Sequence, residues 1–121
     1  MPMKLIASSQ VAFDVRFTLN EQGAEVEYGF RAEATRTALP DKDSGLTVGT
    51  FLTDHAKLRM TGWLLDDKER PMSPLVDEAT GQAPSAGPEA LSALYELLPT
   101  TPGVAYAAYI QAIGAKAKTG N

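Results

Sequence analysis

Between Val11 and Leu19 the side chains alternate without a break. Val11, Phe13, Val15, Phe17 and Leu19 point one way, while Ala12, Asp14, Arg16 and Thr18 point the other. A period of two is the signature of a half-buried strand. Asn20-Glu21-Gln22-Gly23 then reads as a turn, with Gly23 free to take a positive φ. Alternation resumes with Val26, Tyr28 and Phe30 on one side and Glu25, Glu27, Arg31 and Glu33 at offset positions. The pair predicts an antiparallel hairpin over residues 11–34 with one apolar face. A two-stranded hairpin is marginal in water, so the rest of the chain must supply a cover.

That cover is expected to be helical. After a loop over 38–47, Val48, Phe51, Leu52, His55 and Leu58 fit a helical stripe, which predicts a helix over 48–62. Thr47 or Thr50 is placed to cap its start, and Gly62 to end or bend it. Trp63-Leu64-Leu65 is a short apolar run, either a last turn or a brief strand. Residues 66–87 hold Pro71, Pro74, Pro84, Gly81 and Gly87 and are expected to form a long loop. Pro88 suits the first turn of a helix over 88–98, with Leu91, Leu94, Tyr95 and Leu98 as its apolar stripe. A last helix is expected over 102–116. Its Ala105, Ala107, Ala108, Ala112 and Ala115 allow another backbone to come close, and Lys116 and Lys118 suit the negative end of its dipole. The expected class is α+β: an N-terminal antiparallel β-hairpin or small sheet packed against about three α-helices, in a single domain over 1–121.

The bulk properties narrow the function classes. The chain has 121 residues, 44% hydrophobic and 21% charged, a globular composition. No apolar run is long enough to span a bilayer, and Met1–Phe13 lacks the apolar centre of a secretory signal, so a cytoplasmic location is expected. There are no cysteines, which removes disulfides and thiolate chemistry. Eleven Lys and Arg are scattered among fifteen acids, for a formal net charge of −4. A nucleic-acid partner, which asks for a basic face, is not expected, nor is a membrane.

Reaction chemistry finds little support. Gly45 and Gly49 have no Lys-Ser/Thr pair behind them, so a phosphate loop fails. Asp41-Lys42-Asp43-Ser44-Gly45 starts like a calcium loop, but its Gly stands one place early and Leu52 occupies the twelfth position in place of Glu. His55 has Arg59 at i+4 where a helical metal site needs a second ligand, and it is read as a partly buried structural histidine. Asp66-Asp67 and Asp77-Glu78 are paired carboxylates without a rigid frame and are read as solvated loop charge. No catalytic, cofactor-binding or metal-binding residues are assigned, and no enzyme activity is expected.

Binding is better supported. Trp63, the one tryptophan, is read as a structural anchor in the core. Tyr106 and Tyr109 lie three apart on one helix and can share a face. With Tyr95, Leu91 and Leu94 they form the candidate partner-binding surface. The hairpin edge is a second candidate, for pairing with another chain, and self-association is one form of it.

Gly62-Trp63, Asp66-Asp67, Pro71, Ser85, Glu89, Leu91, Leu94, Pro102-Gly103-Val104 and Tyr109 follow an order that resembles the tail assembly chaperones of long-tailed bacteriophages. In that pattern a hairpin and a helix precede a Gly-Trp, an acidic segment leads to a Pro, and a Ser-x-x-x-Glu-x-Leu helix start precedes a Pro-Gly-Val helix with a Tyr. The likeness spans residues 11–115. It departs at Glu69-Arg70, where a Gly usually stands, and in the longer stretch from Leu75 to Gly87, which lacks a Phe before the Ser. The resemblance implies a non-catalytic phage or prophage protein that binds the tape measure protein, assists tail tube assembly and is absent from the mature virion. The alternative is a minor structural tail protein, a tail-completion or tail tube component. A small enzyme or regulator is the third reading.

Overall fold

The computed structural model describes residues 2–115. Two long strands, β1 (Gln10–Glu21) and β2 (Ala24–Thr35), are followed by α1 (Val48–Asp54), β3 (Arg59–Trp63), α2 (Pro88–Leu97) and α3 (Thr101–Ile113). The sheet is antiparallel with order β1-β2-β3. This is the α+β architecture that the alternation and the helical stripes imply: a small sheet under three helices.

Register follows the apolar alternation. Val11, Phe13, Val15 and Phe17 sit opposite Ala34, Ala32, Phe30 and Tyr28. A slip of one residue would turn the whole set to solvent. The turn contains only Gln22 and Gly23, with φ of 55° and 90°. Two positive φ values give the tight reversal whose twist matches the strands, and the Gly23 N–H donates to Asn20 Oδ1 at 2.9 Å.

The helix expected over 48–62 is corrected to seven residues followed by a strand. Thr47 caps α1, its Oγ1 accepting from the Thr50 N–H at 3.1 Å. The chain leaves the helix at His55, turns through Lys57 at φ 54°, and enters β3. The physical reason lies in β2, whose second edge needs a partner. The Thr35 N–H donates to Ala56 O at 2.7 Å, which captures the chain beside the sheet. Met60 then faces the core between Arg59 and Thr61, which are exposed, a period of two that overrides the weaker helical one. Gly62 therefore lies in a strand and ends no helix. Register shifts beside Arg31, leaving Thr61 as an extra residue, and its Oγ1 donates to Arg31 O at 3.3 Å. This is a β-bulge.

β2 is the central strand, so the sheet edges are β1 and β3. Glu25, Glu27, Arg31 and Glu33 lie on the uncovered face of β2. That face is laced by exposed ion pairs: Arg16 with Asp14 and Glu27, Arg31 with Asp14, and Arg59 with Glu33 at 2.7 Å. Such pairs are each worth under about 1 kcal/mol. Their main consequence is a charged face that resists stacking on another sheet.

The covered face carries the core. Val15, Phe30, Ala32, Ala34 and Met60 of the sheet meet Phe51, Leu52 and Ala56 from α1 and its end, Ala90, Leu91 and Leu94 from α2, and Ala105 and Tyr109 from α3. α3 ends at Ile113, earlier than the expected 116; Lys116 and Lys118 lie outside the described residues. Its C-terminal end is met from the sheet instead. Arg36 Nη1 donates to Ile113 O at 2.7 Å, and Arg36 Nε to Ser8 O at 3.0 Å, placing a cation at the negative pole.

Candidate docking groove

Tyr109 and Tyr95 show how differently the helices seat their aromatic residues. Tyr109 is fully buried. Its hydroxyl donates to Thr35 O at 2.7 Å and accepts from the Thr37 N–H at 3.0 Å. Its ring lies 5.9 Å from Phe51 and 6.3 Å from Phe13. Burial holds its hydroxyl above the ordinary phenol range. Tyr109 is thus a clamp between α3 and the end of β2, which corrects its expected place on a partner surface: no face of it is free. Leu94 is likewise fully buried in the core. Tyr106 is half-buried, edge-on to Phe51 at 5.8 Å.

Tyr95 sits on α2 with no such partner. Its hydroxyl is buried and makes no hydrogen bond among the described residues. Loss of water pushes its pKa up to about 12, so it is a neutral donor at any ordinary pH. The ring forms one wall of a hollow of about 480 Å³, within the usual range of ligand and peptide pockets. Leu91, Ser92 and Pro88 continue that wall. Leu58 and Met60 make the apolar floor, and Thr53, Thr61, Glu33 and Arg59 stand at the rim. Consecutive β3 residues of both parities line it, so the edge of the strand opens onto the hollow. Of the five candidate partner residues, the structure brings together Leu91 and Tyr95. Sequence reasoning missed Leu58, Met60 and Thr61, because their stretch read as helix.

Two other hollows flank the helices. One of about 250 Å³ lies between Phe17 and Leu19 of β1 and Val104 of α3. Another, of about 430 Å³, separates α2 from Leu75, Val76 and Pro84.

Trp63 is half-buried against the core at the end of β3. Its Nε1–H donates to Pro84 O at 2.7 Å. It therefore anchors the long connection over 66–87 to the sheet; the helices are seated by Phe51 and Tyr109. The connection is also more ordered than a solvated loop. Asp66 Oδ1 accepts from the Lys68 and Arg70 N–H groups, and its Oδ2 from Arg70 Nε. The Arg70 N–H bond, with those from Lys68 and the Arg70 guanidinium, holds the Asp66 carboxyl below its ordinary value. Leu65 and Pro71 bridge across this turn. Asp77 organises a second turn, accepting from the Ala79 N–H at 2.8 Å. Asp66 and Asp77 thus act as turn-forming acceptors, which corrects their reading as loose charge.

His55 is exposed at the end of α1, its ring stacked on Phe51 at 5.9 Å, which corrects the expectation of a partly buried histidine. Among the described residues no group of three or more His, Cys, Asp or Glu lies close enough to hold a metal ion, and no helix is long and apolar enough to cross a membrane. The geometry offers an apolar hollow beside a free strand edge, with one orphan donor in its wall. Compared with known proteins, the chain matches no family model, no curated protein and no solved structure.

Proposed function

We propose that this chain is a non-catalytic assembly chaperone of a long-tailed phage or prophage, which binds the tape measure protein and assists tail tube assembly in the host cytoplasm. The observation that carries the reading is the hollow beside β3 and α2. It is apolar, open, and lined by Leu91 and Tyr95, in a chain whose residues from Gly62 to Tyr109 resemble that family. A tape measure protein presents long apolar helices that aggregate when free. An apolar groove with a polar rim shields such a surface, and the net charge of −4 keeps the complex dispersed. A hollow of this size contributes modest affinity, because ordering both partners offsets much of the apolar gain. Modest affinity suits a protein that must leave before the tail is complete.

Co-expression with a tape measure protein from the same phage or prophage tests the reading. The tape measure protein is expected in the soluble fraction with the wild-type chain and in the pellet with Ser92→Arg, which places a charge on the groove wall. Equal solubility with and without the chain overturns the proposal. Recovery of the chain from purified mature virions would move the reading to a minor structural tail protein.

A further inference from the structure

The most exposed apolar segment of the molecule is the arm that precedes β1. Met3 is 91% exposed, Leu5 68% and Ile6 98%. Among the described residues, no backbone hydrogen bond ties residues 2–7 to the body. An apolar arm in water lowers its free energy by finding a surface. The molecule displays a surface of matching form, the free edge of β3 with the hollow between it and α2.

We infer that the arm over residues 2–8 of one copy docks as an added strand along β3 of a second copy, with Met3 and Leu5 filling the hollow walled by Leu58, Met60, Leu91 and Tyr95. Three observations fix this choice. The first is length and spacing. β3 spans five residues, and an added strand of five residues alternates so that Met3 and Leu5 share one face. Lys4, the only charged side chain before Asp14, then falls on the rim side, where Glu33 and Arg59 stand; it brings a positive charge to an acidic chain.

The second is the orphan donor. An added strand carries backbone carbonyls into the groove, and among the described residues the Tyr95 hydroxyl has no acceptor. A main-chain oxygen is the acceptor that strand addition supplies. The third is position. The arm leaves the sheet at Ser8 and Ser9, whose carbonyls Arg36 holds beside the start of β1. With strand order β1-β2-β3, β2 separates that point from the groove. To reach its own hollow the arm would have to cross β2, which docking on a second copy does not require. Arm-to-groove docking is head-to-tail, so it produces a reciprocal dimer or a longer series.

The inference uses the same groove as the chaperone reading but needs no tape measure protein, so the purified full-length chain tests it alone. Light scattering after size exclusion, across concentrations, is expected to show species of at least two chains. Leu5→Asp is expected to weaken their association by at least about tenfold. Because Leu5 lies outside the core, circular dichroism should stay at the wild-type value, and Tm should match wild type at dilutions where both chains are monomeric. Ser92→Arg, on the groove wall, should act in the same direction. The absence of native cysteine allows a direct mapping: chains carrying only Leu5→Cys are mixed with chains carrying only Thr61→Cys and oxidised. A disulfide-linked heterodimer is expected, suppressed by Leu5→Asp chains added in excess. A chain that is monomeric up to about 1 mM, or a Leu5→Asp variant with unchanged association, overturns the inference. So does a double variant that cross-links only within one chain, which would place the arm in its own groove.

Discussion

The two halves of the covered sheet face are closed to different degrees. On the β1 side, α3 brings small residues against the strand, and Tyr109 fills the space beneath with a ring between Phe13 and Phe51. Both hydrogen-bonding capacities of its hydroxyl go to the chain at Thr35 and Thr37. On the β3 side, α2 meets a strand of five residues with a free edge, and a hollow of about 480 Å³ stays between them. Tyr95 stands there with its hydroxyl unpartnered among the described residues. One tyrosine is a structural clamp and the other a wall of a site. The lesson is that an aromatic residue on an amphipathic helix announces burial, while the partners of its hydroxyl decide whether the burial is complete within the chain.

Substitutions can break or sharpen that contrast. The largest effect is expected from Tyr109→Ala, which empties a fully buried volume and should cost about 3–5 kcal/mol, read as a lowered midpoint in urea denaturation. Tyr109→Phe keeps the ring and strands two backbone groups, with an expected cost of about 1–3 kcal/mol. Gly29→Ala comes next. A methyl group there would meet Leu64 Cδ1 at 2.7 Å and Val15 O at 2.8 Å, and overpacking of that kind costs about 1–3 kcal/mol. A Tm unchanged by this substitution would show that both Leu64 and the β1 backbone at Val15 can retreat.

Tyr95→Phe should run the other way. Removing a buried hydroxyl without a partner relieves a desolvation cost, so stability should hold or rise by up to about 1 kcal/mol. A loss as large as that of Tyr109→Phe would collapse the distinction between the halves. The smallest effect concerns pH. The Asp66 carboxyl titrates below its ordinary value of 3.8, so its folded pKa is depressed. Its stabilising contribution is therefore present above that value and is lost as pH falls through the folded pKa. The Tm gap between wild type and Asp66→Ala is expected at neutral pH and should shrink on acidification below that value.

Much of the fold was legible because its signals were strong and local. Strict alternation over Val11–Leu19 leaves one register that buries Val15 and Phe30, and the turn at Gly23 closes it. Pro88 and the stripe Leu91, Leu94 announced α2. The stretch around Leu58 and Met60 was less legible. Its apolar spacing fits a weak helical stripe after Val48, and only the unpaired edge of β2 turns the contest toward a strand. The groove inherited that difficulty, since its lining from Leu58 to Thr61 comes from the misread segment. Leu91 and Tyr95 were visible as an apolar stripe; that Leu94, between them on the same helix, is sealed in the core was not. The anchor role of Trp63 was legible as burial. Its attachment to Pro84 depends on a hydrogen bond across 21 residues that no local pattern encodes.

By itself the sequence determined the strand-turn-strand start, the class of the fold and a threonine cap at the start of α1, because period and backbone preference act over a few residues. The tertiary structure alone decided that residues 59–63 pair with β2, that Tyr109 is sealed while Tyr95 is not, and that an edge of the sheet opens onto an apolar hollow. Those outcomes depend on which surfaces meet, and the free energy of a meeting belongs to both surfaces together.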